Sequence, residues 1–185
     1  MRAITDDTAV EHYRRLAREM VLPQSEYEFD PRWVRGRGWS VVPVESAMRL
    51  PTGDVPRIAS RLKAAGFGCC LVVVTEAGYL EPLSASNRFL GDLATCYSVS
   101  VDETDLQAIN RQLGPFRFLL AGPDCSWAIS CNESYNLFGG PRDLVEGLLG
   151  ESIEEAEGKF LEFALLSAHG DSTHPLLAVA RKYAA

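Results

Sequence analysis

Apolar positions recur at two periods along this chain, and the change from one to the other marks out its elements. In residues 7–22, Val10, Tyr13, Ala17, Met20 and Val21 fall at helical spacing, with Glu11, Arg14, Arg15 and Arg18 on other faces, which predicts an amphipathic helix. Residues 23–38 are polar and irregular and read as a connection. The run WSVVPV, 39–44, looks extended, and Pro43 suggests a sheet edge or a strand end because proline cannot donate to a ladder. Asp54 is a good N-cap for a helix through Ala65, with Gly66 as its stop. The uninterrupted apolar run of residues 67–76, FGCCLVVVTE, predicts a central strand covered on both faces.

After a loop-like stretch at 77–94, residues 96–101 alternate as a half-buried strand. Asp102 then caps a helix carrying Leu106, Ile109 and Leu113, ended by Gly114. Three short strands follow, 116–121, 126–131 and 135–138, separated by the turns Gly122-Pro123-Asp124 and Asn132-Glu133-Ser134. Gly139-Gly140-Pro141 reads as the start of a helix that Gly150 stops. Ser152 and Glu155 have capping-box spacing for a last long helix, with Ile153, Ala156, Phe160 and Phe163 as its stripe. From about residue 168 the chain breaks at Gly170 and Pro175 and reads as a mobile tail with room for a short helix.

This order predicts one α+β domain over residues 1–185. Its core is a mixed or mainly antiparallel sheet of roughly five to six strands with helices packed on it, since three consecutive strands favour a meander over a parallel sheet. Strand 39–44, helix 54–65 and strand 67–76 repeat the order of strand 96–101, helix 102–113 and strand 116–121. Duplication and coincidence both account for that, because the shared signals are ordinary helix punctuation.

Composition narrows the functional classes. The net charge is −7, which argues against a general binder of nucleic acid or acidic membrane. No run approaches the ~18 apolar residues of a membrane span, and the N-terminus lacks the apolar core of a signal peptide, so the expected location is the cytoplasm. The five cysteines, Cys69, Cys70, Cys96, Cys125 and Cys131, sit mostly in apolar runs and read as buried reduced thiols of low reactivity; if any one is labelled rapidly, Cys125 beside the turn is the best candidate.

Candidate chemistry is sparse. His169, Asp171 and His174 could ligate a metal, but they lie in a segment bounded by glycine and proline without helical framing, so no metal or cofactor is assigned. There is no phosphate-binding loop, no His-Glu-x-x-His and no nucleophile elbow. One segment stands out. Glu26, Glu28 and Asp30 precede Arg32, Trp33, Arg35, Arg37 and Trp39, crowding acid, arginine and tryptophan into one predicted loop. Arginine and tryptophan are enriched at protein interface hot spots, so these eight residues are the candidate partner-binding surface.

The leading expectation is therefore a non-catalytic, cytoplasmic, acidic protein-binding module, in its most concrete form an immunity-type inhibitor covering a toxin's basic surface. Its partner is another protein of basic character, with nucleic acid and membrane disfavoured. The alternatives are a small hydrolase or transferase using Cys125, Cys131 or a metal at His169, Asp171 and His174, and a scaffold or regulatory subunit.

Overall fold

The computed structural model describes residues 1–22, 25, 27–46, 50, 52–76, 79–81, 89–90, 93–114 and 116–183. Among them, the chain builds a seven-stranded, wholly antiparallel sheet with helices on both faces. In chain order the elements are β1 (Arg2–Ala3), α1 (Asp7–Met20), α2 (Pro31–Arg37), β2 (Ser40–Glu45), α3 (Val55–Ala64) and β3 (Cys69–Val74). Next come the two-residue strands β4 (Phe89–Leu90) and β5 (Leu93–Ala94), then β6 (Cys96–Ser100), α4 (Glu103–Leu113), β7 (Phe118–Ala121), β8 (Ala128–Cys131) and β9 (Tyr135–Gly140). The chain continues with α5 (Arg142–Leu149), α6 (Ile153–Ala168) and α7 (Pro175–Tyr183).

The sheet order is β1-β6-β3-β7-β8-β9-β2, and β4 pairs only with β5. The expected meander is present as β7-β8-β9, and β3 is interior. Its alternation explains its composition: Cys70, Val72 and Val74 face one core and Val73 the other. The first core is completed by α3, α4 and α5, through residues such as Ile58, Leu106 and Leu148. The second is completed by α1, α6 and α7, through Met20, Phe160 and Leu177.

Strand β2 is an edge strand, one of the two positions that Pro43 allows. Its partners run from Ser40 opposite Gly140 to Glu45 opposite Tyr135, and the next residue, Ser46, donates its N–H to the Ser134 carbonyl. Even-numbered positions therefore bond inward to β9. Pro43 falls on the outward row, where its missing N–H interrupts the line of donors a foreign strand would need.

The sequence reading needs four corrections. Residues 31–37 are a helix: the Asp30 carboxylate accepts from the Arg32 N–H at 2.7 Å, Pro31 occupies the first turn, and Gly38 closes the helix at φ 62°. Gly139 and Gly140 belong to β9, because a Cβ on Gly139 would lie 2.9 Å from the Phe29 and Trp39 rings. Arg14 faces inward: it is fully buried and its guanidinium donates to the Glu81 carbonyl. Asp54 stands at the start of α3 but pairs with Arg57 at 2.8 Å instead of capping a backbone N–H. The short helix for which the tail had room does form, over residues 175–183, with Leu176, Leu177 and Val179 buried against the second core. The two strand–helix–strand units are not equivalent: β6 and β7 flank one strand, whereas three strands separate β2 from β3. Most of the predicted 77–94 loop lies outside the described residues.

Candidate functional site

The predicted binding segment is split by the fold into core, tether and surface. Val21 and Phe29 form an antiparallel bridge, Asp30 N–H donates to the Met20 carbonyl at 2.8 Å, and Ser130 Oγ donates to the Tyr27 carbonyl at 2.6 Å. These bonds pin residues 27–30 beside the end of α1 and on β8. Glu26 lies outside the described residues. Glu28 is drawn into an ion pair with Lys182 of α7 at 2.5 Å.

Asp30 is buried, and its hydrogen bonds from the Arg32 side chain and N–H hold its carboxyl below the usual range. Trp39 is only 8% exposed, edge-on to Phe29 and Trp33 at ring separations of 5.7 and 6.3 Å. Asp30 and Trp39 are thus a helix cap and a core residue, which corrects their assignment to the contact surface. Trp33 is half-buried, with Arg37 stacked 4.6 Å from its ring centroid. Among the described residues of the segment, the exposed charges are Arg32, Arg35 and Arg37.

Beside it lies a cleft of about 440 Å³, walled by Tyr27, Glu28, Arg117, Asn132, Tyr135 and α7. That volume would suit a small molecule. Its charges are already matched: Arg117 binds Glu133 at 2.9 Å and lies over the Tyr27 ring, while Lys182 holds Glu28. Asn132 Oδ1 accepts from the Ser134 and Tyr135 N–H groups, and burial raises the Tyr135 hydroxyl well above the phenol range. His174 also lines the cleft, and the buried Asn132 Nδ2 and Tyr135 hydroxyl lack a hydrogen-bond partner among the described residues.

The residues of the catalytic alternative do not converge. Cys131 is enclosed and burial pushes its thiol up. Cys125 is 4% exposed, stands at φ 51°, and its thiol is pushed up to about 11, mainly by burial. Cys125 is therefore not the best candidate for rapid labelling, and the expected burial of Cys69 is corrected. Cys69 is the exposed cysteine, because it begins β3 at the sheet's end. Asp171 accepts from Thr173 Oγ1 at 2.6 Å and from the Thr173 N–H at 2.8 Å, and His174 Nδ1 accepts from the Leu176 N–H at 3.3 Å. These residues shape the turn into α7. Among the described residues no group of three metal-ligating side chains gathers.

One surface feature went unnoticed in the sequence. On α6, Leu161, Leu165 and Leu166 are 44%, 56% and 68% exposed. The signal was available: the stripe through Phe160, Ala164 and Ala168 satisfies the core, which leaves these leucines on the opposite side. Comparisons of the chain with protein-family models, curated proteins and solved structures find no match.

Proposed function

We propose that this protein is a non-catalytic protein-binding module whose contact surface is the outer face of α6. The observation that carries the reading is the exposure of Leu161, Leu165 and Leu166 on one helix. Single exposed leucines are ordinary, but neighbouring ones on consecutive turns form an apolar patch, and such patches favour association. The raised thiols of Cys125 and Cys131 weigh against a cysteine nucleophile, since the thiolate is the reactive form. Five free cysteines fit a reducing compartment, which supports action in the cytoplasm. The acidic balance of −7 supports a basic partner and, as its most concrete form, inhibition of a toxin by occlusion.

The test is affinity capture from the source cells with the intact protein and with a Leu161→Glu/Leu165→Glu variant of unchanged melting temperature. A partner retained by the first and lost from the second supports the reading. Equal capture by both refutes the α6 surface.

A further inference from the structure

Helix α6 carries more than an apolar patch. Leu161 and Leu165 are one turn apart on the same stripe, and Leu166 extends the patch around the helix. Gly158 stands one turn before Leu161 and two turns before Leu165. A Cβ built there would meet nothing within 4 Å, so the helix surface is notched at that point. A notch beside leucine ridges is the relief into which another helix packs a side chain.

The charge on this helix is one-sided. Its own charged residues are Glu154, Glu155, Glu157 and Glu162 with a single lysine, Lys159, which is tied to Glu151. Glu155 serves the capping box and Glu154 meets Arg142 at 2.6 Å, whereas Glu162 lies exposed between the leucines.

Resting on the protein-binding reading above, we infer that the outer face of α6 receives a basic amphipathic helix of a partner protein. The partner's apolar stripe lies along Leu161 and Leu165, with one side chain seated over Gly158. Its lysines or arginines flank the stripe and approach Glu162. Charge decides between this occupant and two others. A second copy would bring the Glu162 face against its own twin in a two-fold pairing, between chains of net charge −7. A membrane surface rich in anionic lipid would be repelled by Glu162 and by the net charge of −7.

The test uses the full chain and three synthetic helical peptides, each about 18 residues long so that a helix can form. One has a leucine face and a lysine face, one has leucine and glutamate faces, and one has the same lysines with serine in place of leucine. Calorimetric titration should show the leucine–lysine peptide binding one to one. The Leu161→Glu/Leu165→Glu variant should weaken it at least about tenfold although it adds negative charge, because truncated apolar anchors dominate such contacts. The α2 control Arg32→Ala should leave it unchanged.

Equal binding by the variant would show bulk acidity at work and overturn the inference. Preferential binding of the leucine–glutamate peptide would overturn the partner's chemistry while leaving the α6 surface and the proposed function standing. A dimer in light scattering that Leu165→Glu splits would make the occupant a second copy and overturn the inference too.

Discussion

At the scale of single residues, burial decides chemistry more than residue type does. Cys69 and Cys70 are adjacent, yet strand alternation turns one outward and the other into the core, where its thiol is pushed up to about 12. Mass-spectrometric thiol labelling at neutral pH should modify Cys69 first. Cys70, Cys96, Cys125 and Cys131 should react only as the protein opens, and Cys69→Ser should abolish the fast phase. The two tryptophans of the predicted interface separate in the same way. Trp39→Ala removes a core ring and should cost about 3–5 kcal/mol in urea unfolding. Trp33→Ala removes a half-buried ring held edge-on to Trp39 and should cost roughly 1–2 kcal/mol. The sequence placed both rings in one segment. Periodicity could not separate them, because each packs on elements distant in the chain.

At the scale of elements, punctuation was legible wherever an apolar stripe accompanied it. Ser152 with Glu155, Asp102 with Gly114 and Asp54 with Gly66 all bracket helices found in the structure. Helix α2 has the same brackets, Asp30-Pro31 and Gly38, but its seven residues carry no fully buried side chain, so the periodic signal is missing. The glycine pair failed for the opposite reason: Gly139 reads as a breaker and serves as room for the Phe29 and Trp39 rings. Gly139→Ala should therefore cost about 1–3 kcal/mol through overpacking.

The α2 cap makes a pH-dependent prediction. The Asp30 carboxyl is held below its ordinary value, chiefly by the Arg32 side chain, so its folded pKa lies under the unfolded one near about 3.9. Its ionic stabilisation is complete above that unfolded value and is lost as pH falls through the folded one. Asp30→Asn keeps an oxygen for the cap and loses the charge. Its deficit relative to the unaltered protein should stay level near neutrality and shrink below about pH 4. Asp30→Ala should lose the cap as well, about 1 kcal/mol more at neutral pH.

At the scale of the molecule, the sequence could name strands but not their neighbours. Within the seven-stranded sheet the β7-β8-β9 meander is set by short turns; β3 lies between β6 and β7, and β2 closes the far edge through pairings distant in sequence. The surface was harder still to read, since an outward leucine and an inward one are the same letter. Two-sided burial of the sheet shows which leucines the fold does not use, and that yields the last prediction. Leu161→Glu and Leu165→Glu should leave unfolding free energy within about 0.5 kcal/mol, as surface changes do, whereas Phe160→Glu, one position away and 2% exposed, should unfold the chain. Against a partner docked on α6, the leucine changes should act mainly by speeding dissociation. Glu162→Lys should act mainly by slowing association, most at low salt and little once screening shortens the reach of the charge. Stopped-flow measurements across ionic strength separate the two. A salt-independent effect of Glu162→Lys would show that its carboxylate makes a short-range contact and does not steer the encounter.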